Sequence, residues 1–126
     1  NCEAVLCGFV PGSGGAAGGV GSLILGAHDD SGSLVHVGNV GTGLTDRQRR
    51  ELRAKLVELE QSISPFAIEP PRAVTRNASW SRPFLVCDVE CREFTGGSLR
   101  HPSFRGRRDD KTADEVKVPL FDSDAT

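Results

Sequence analysis

The chain has 126 residues, enough for one domain with a single modest core and too few for two ordinary ones. A formal net charge of −2 excludes a protein that coats nucleic acid by bulk charge, so any polyanion contact has to be local. With 37% hydrophobic and 25% charged residues the chain is not disordered over most of its length, and no run approaches the roughly 18 apolar residues of a membrane span, so no membrane partner is expected.

The opening "NCEAVLCGFV" carries Glu3 and lacks the basic start and long apolar run of a signal peptide, which reads as a cytoplasmic protein or a domain trimmed from a larger one. "EAVLCGFVP" predicts a first strand ended by Pro11. "GSGGAAGG" after it is too rich in glycine to hold a shape unaided. "VGSLILGAH" predicts a buried second strand, "DDSG" a turn, and "SLVHVGNVG" a third strand, completing a meander.

Thr45 then opens a helix. It stands three residues before Gln48, the spacing of a capping box, and Leu52, Leu56, Leu59 and Ile63 recur every three or four residues as one apolar face. Arg47, Arg49, Arg50 and Arg53 crowd its first two turns, where the helix dipole disfavours positive charge. That placement suits either an anionic neighbour or a solvated face. "SPFAIEPPRAVTRNA" has neither periodicity and predicts a surface connection.

"SWSRPFLVCDVECREF" predicts a fourth strand with Phe84, Val86, Asp88 and Glu90 on one face and Leu85, Cys87, Val89 and Cys91 on the other; "TGGS" turns it and "LRHPSF" begins a fifth. Cys2, Cys7, Cys87 and Cys91 lie in strands rather than on the tight C-x2-C turns of a structural zinc site, so they read as small thiols in a reducing compartment, and no metal ligand is assigned. Trp80 reads as a core anchor. One domain is expected over residues 1–118, followed by a frayed acidic tail over 119–126. Three strands, a helix and two strands, with Gly21, Gly26, Gly38 and Gly41 where a barrel bends, suit an oligonucleotide-binding (OB) barrel or an open α+β sheet.

Four of the twelve arginines, Arg100, Arg105, Arg107 and Arg108, fall in "RHPSFRGRRDDK". Arginine presents a planar fork of donors suited to phosphate oxygens and lysine a compact charge, so this segment is either a phosphate clamp or a loop whose ends neutralise one another.

"LRHPSFRGRRDDK" resembles motif VI of the ATP-dependent DNA ligases, a basic segment ending in Arg-x-Asp-Lys, here Arg108, Asp109, Asp110 and Lys111. "EAVLCGFVPG", "GSLILGAHDDSG", "VGNVGTGLTDRQ", "SPF" and "LVCDVECREFTGGSLRHPSFRG" extend the resemblance, in order, to the C-terminal OB domain of bacterial ligases, particularly the end-joining ligase D class and its smaller relatives. It implies an all-β fold with one helix: a five-stranded Greek-key OB barrel with the helix between strands 3 and 4. It also implies a partner, a nucleotidyltransferase domain of the same parent that uses ATP and Mg2+ and forms lysyl-AMP within a Lys-x-Asp-Gly motif. Neither Lys55, Lys111 nor Lys117 precedes x-Asp-Gly, so this chain cannot supply that lysine.

In the family the OB domain closes on ATP so that motif VI orients the leaving pyrophosphate, then swings to help clamp a nicked duplex for sealing in repair. By position the resemblance assigns phosphate contact to Arg108 and Lys111 and their orientation to Asp110. Arg47, Arg49, Arg50, Arg53, Arg100 and Arg105 are the candidate contacts to nicked duplex DNA, a substrate that would associate the protein with the nucleoid. In the end-joining class the protein Ku is a further candidate partner. The rival readings are a free-standing OB module on single strands, which would need exposed aromatics for base stacking, and the OB domain of an RNA ligase or capping enzyme.

Overall fold

The computed structural model describes residues 2–12, 18–95 and 98–118. β1 (Cys2–Pro11), β2 (Val20–His28) and β3 (Leu34–Val40) form the expected antiparallel meander. Asp29 Oδ1 closes the β2–β3 turn by accepting the N–H groups of Ser31 and Ser33, at 2.9 and 3.0 Å. Helix α1 (Asp46–Glu58) follows, then a two-residue strand β4 (Glu60–Gln61), a one-turn helix α2 (Arg72–Thr75) and the long strand β5 (Ser79–Glu90). A short hairpin of β6 (Glu93–Thr95) and β7 (Ser98–Arg100) precedes the last strand, β8 (Ser103–Arg107).

The main sheet runs β3-β2-β1-β5-β4, and β8 also pairs with β5. β4 takes the Trp80–Ser81 end of β5 and β8 the Cys87–Glu90 end. No ladder joins β3 to β8 among the described residues. The gap is bridged by the Phe104 N–H donating to the Thr42 carbonyl at 2.8 Å and by Leu99 of β7 lying against Gly38 of β3. Gly43 permits that approach: its φ is +87°, and a Cβ there would come within 2.6 Å of the Phe104 carbonyl oxygen. The result is a partly open barrel.

Three local expectations are corrected. The predicted fifth strand breaks at His101, which stands at φ 52°, and at Pro102, which has no N–H to give a ladder; the segment before them joins the β6–β7 hairpin and only the segment after them reaches β5. The helix stops at Leu59 instead of running to Ile63, which is 72% exposed. Leu52 and Leu56 alone are buried on α1, and the buried Ser81 hydroxyl donates to the Leu56 carbonyl at 2.9 Å, joining the Leu59 N–H that donates to the same oxygen at 3.1 Å. The proline-punctuated connection is not wholly on the surface: Phe66 is buried and stands edge-on to both Trp80 and His36, 5.8 and 5.6 Å between ring centres.

Other expectations hold. Thr45 caps α1 reciprocally with Gln48, the two backbone N–H groups each donating to the other's side chain at 2.9 and 3.1 Å. Along β5, Cys87 and Val89 face the interior while Phe84 and Glu90 face out; Val86 is buried as well, where the chain after β8 folds back onto β5 through its 3-10 turn, Ala113–Glu115. The segment beyond that turn joins β2, with His28 and Val118 exchanging backbone hydrogen bonds with Val116 and His28. Cys2, Cys7 and Cys87 are buried; Cys91 is half-buried and its sulfur lies 2.7 Å from that of Cys2. Burial pushes the thiols of Cys2 and Cys87 up to about 12. Most of the glycine-rich loop, residues 13–17, and the tail 119–126 lie outside the described residues.

Candidate functional site

The site is built where β8 runs out. Arg107 pairs with Cys87 across β5 and β8, and the Arg108 N–H donates to the Val86 carbonyl at 2.8 Å, so the Arg108 backbone is set by the sheet. Before it, Asp88 pairs with Gly106, and an irregularity in the register follows between Asp88 and Val89. A Cβ at Gly106 would meet nothing within 4 Å.

The Arg108 guanidinium gathers three carboxylates. Its Nη1 donates to Asp88, 3.1 and 3.3 Å to the two oxygens, and to Glu3 Oε2 at 3.3 Å. Its Nε and Nη2 donate to Asp110 as a fork, both at 2.9 Å. Lys111 Nζ stands 3.7 Å from Glu3 Oε2, and Arg107 pairs separately with Asp109 at 3.1 Å. The fork from Arg108, and then the Asp110 backbone, hold the Asp110 carboxyl at about 2 against an ordinary 3.8; Asp110 and then Asp88 push Arg108 upward. Asp110 is the outer member of this set, its side chain 67% exposed against 24% for Asp88 and 30% for Glu3.

The candidate triplet of Arg108, Asp110 and Lys111 is thus brought together, and two residues not chosen from the sequence join it. Glu3 and Asp88 are direct cross-strand partners on β1 and β5, a like-charge pair that is unfavourable unless a cation bridges it. A carboxylate inside the otherwise apolar β1, and another within the apolar run Leu85–Val89 of β5, was the available signal. Their pairing lay in the sheet register alone.

The six candidate DNA contacts divide. Arg49, a contact candidate by sequence, turns its guanidinium into the fold: Nη1 donates to the carbonyls of Val20 and Gly21 at 2.9 and 2.8 Å, and Nη2 to that of Gly41 at 2.7 Å. Arg53 donates to the Gly19 carbonyl at 3.3 Å and lies over the Phe9 ring at 5.5 Å. Arg47 is exposed beside Glu51, at 3.4 Å one turn on, and Arg50 is exposed three residues along from it. Arg100 is exposed at the end of β7, and Arg105 pairs with Glu90 at 3.2 Å.

A model of the C-terminal region of ATP-dependent DNA ligases matches residues 16–111, well over half of the chain. The chain belongs to that ligase C-terminal family. Over 115 residues it is 43% identical to the multifunctional non-homologous end joining protein LigD of Mycolicibacterium smegmatis, covering 90% of this chain and 15% of that protein. It is 30% identical to a DNA ligase of Halorubrum lacusprofundi, covering 90% of this chain and 18% of that one. The crystal structure of the ligase domain of M. tuberculosis LigD superposes with a TM-score of 0.86 at 36% identity, over 94% of this chain and 38% of that one. Mycobacterial DNA ligase D complexed with ATP and MES superposes with a TM-score of 0.79 at 38% identity, over 91% of this chain and 36% of its own. This mostly-β ligase C-terminal domain is accordingly an OB fold, and the chain spans a small part of the relatives it matches.

Among the described residues, no helix of this ligase C-terminal domain is long and apolar enough to cross a membrane, and no group of three His, Cys, Asp or Glu is placed to hold a metal ion.

Proposed function

We propose that this chain acts as the C-terminal OB domain of an ATP-dependent DNA ligase, closing on the nucleotidyltransferase domain of the same parent. Arg108 and Lys111 contact the nucleotide's phosphates, and Asp110 orients Arg108 until the nucleotide arrives. The observation that carries this reading is the setting of Arg108. Its amide is fixed to β5 and its Nη1 is held over β1 and β5, while its Nε–Nη2 edge meets the exposed Asp110 in the fork geometry that a phosphate also fits.

ATP supplies the adenylyl group and the leaving pyrophosphate. The part left to Arg108 and Lys111 is to fix that pyrophosphate opposite the attacking lysine of the partner domain and to neutralise its growing charge. Mg2+ would enter with the nucleotide through the partner domain. In a second orientation the domain helps clamp nicked duplex DNA, and the exposed Arg47, Arg50 and Arg100 are the better placed backbone contacts. Arg49 and Arg53 hold the helix that presents the first two, and Arg105 would have to leave Glu90 to join them. The parent would then work in the cytoplasm at the nucleoid, with Ku a candidate partner in end joining.

The test uses the full-length parent. With labelled ATP, Arg108→Ala and Lys111→Ala are expected to lower self-adenylation by about 100-fold, the scale of removing one donor from a developing charge, while a nick that is already adenylated is still sealed. If both steps survive, the phosphate assignment is wrong. Loss of the sealing step alone would make the segment a DNA contact.

A further inference from the structure

Arg108 has more acidic partners than an anion-binding arginine should keep. Glu3, Asp88 and Asp110 set three carboxylates against the two cations Arg108 and Lys111, so the cluster carries one net negative charge and is not, as it stands, a polyphosphate site. The three acids are not equivalent. Asp110 is two residues along, largely exposed, and takes the Nε–Nη2 edge. Glu3 and Asp88 come from β1 and β5, are about three-quarters covered, and both take Nη1.

A guanidinium held at Nη1 can turn only about that anchor, which leaves its Nε–Nη2 edge as the one that changes partner. Asp110 can withdraw into water at small cost, because it is exposed. Glu3 and Asp88 cannot relax as easily. They are fixed opposite each other on neighbouring strands, and without Arg108 the two charges would face one another.

We infer that Glu3 and Asp88 are positioning residues for Arg108: they hold its Nη1 while the Nε–Nη2 edge passes from Asp110 to a phosphate of the nucleotide. The inference rests on the phosphate role proposed above. Its value is that it assigns a task to two acids that would otherwise repel a polyanion. No covalent step is involved; the exchange is one set of charge-assisted hydrogen bonds for another.

The experiment is a double-mutant cycle in the full-length parent, measuring self-adenylation against ATP concentration and sealing of a pre-adenylated nick. The variants are Asp88→Asn, Asp88→Glu, Glu3→Gln, Arg108→Ala and the double variant D88N/R108A, each checked for its thermal midpoint. Asp88→Asn is expected to lower kcat/KM for self-adenylation about tenfold, the size of coupling seen between side chains in one network, with sealing changed less than about twofold. Glu3→Gln has a smaller effect in the same direction, Asp88→Glu restores most of the loss, and Asp88→Asn adds nothing once Arg108 is alanine. Additive losses in the double variant, or equal falls in adenylation and sealing, would show a merely structural role and overturn the inference. If Asp88→Asn is silent while Arg108→Ala cripples adenylation, the positioning claim fails and the phosphate role stands. If Arg108→Ala is itself silent, both fail together.

Discussion

Arg49 gives its guanidinium donors to three backbone carbonyls, whereas Arg108 gives its own to three carboxylates. The carbonyls of Val20 and Gly21 in β2 and of Gly41 just past β3 cannot be replaced by a ligand, so Arg49 ties α1 to β2 and to the end of β3. Carboxylates are anions, and a phosphate offers the same fork with more charge. An arginine among neutral acceptors is therefore a strut, and one among acids can change partner. Gly19 shows how closely the strut is packed: a Cβ there would come within 2.9 Å of the Arg49 Cβ.

That contrast can be broken most directly by denaturation. Arg49→Ala removes three charge-assisted bonds and leaves strand-end carbonyls without a partner, so a loss of about 3 kcal/mol is expected in urea unfolding of this chain. Arg49→Lys recovers only part of it, since an ammonium cannot span both strands as a fork does. Arg108→Ala is expected to cost less, about 1 kcal/mol, because Asp110 is exposed and Glu3 and Asp88, though mostly covered, still reach water. A larger loss for Arg108 than for Arg49 would reverse the comparison.

Arg47 and Arg50 sharpen it from the solvent side. Each change to alanine should alter stability by less than about 0.5 kcal/mol. In the full-length parent, each should reduce the slope of log affinity for nicked DNA against log salt by about 1 if it meets a phosphate. An unchanged slope would leave them as a solvated face.

The smallest effect is a titration. Arg108 holds the Asp110 carboxyl at about 2 in the folded chain, below its ordinary 3.8. A carboxyl lowered by folding contributes stability that is complete above the unfolded value and lost as pH falls toward the folded one, here between about pH 4 and pH 2. Carboxyl NMR should place the Asp110 midpoint near 2 and move it upward in Arg108→Ala. Asp29, held below its ordinary range first by the Ser31 hydroxyl and then by the Ser33 amide, serves as a control that the variant leaves unmoved.

Which parts were legible follows the range of the forces involved. The Thr45–Gln48 cap, the meander turn at Asp29 and the Arg108–Asp110 fork join residues within four positions, and a local reading finds them. The end of α1 was misplaced because Ile63 keeps the helical spacing while Glu60 and Gln61 are drawn into pairing with β5. The fifth strand was drawn too long because "LRHPSF" alternates well enough, and only the left-handed turn at His101 divides it between two sheets. Glu3 and Asp88 were passed over as site residues since each looks like an ordinary strand carboxylate.

By itself, then, the sequence determined the meander, the capped helix that follows it and the resemblance of the Arg-x-Asp-Lys segment, since each rests on neighbours along the chain. Only the tertiary structure decided which arginines point inward and which acids meet Arg108. Glu3 lies 105 residues from Arg108 and Asp88 lies 20, and Arg49 is 29 from Val20. Contacts of that kind depend on strand register and on how α1 leans against the barrel, and a one-residue slip in register would have turned Glu3 and Asp88 to opposite faces.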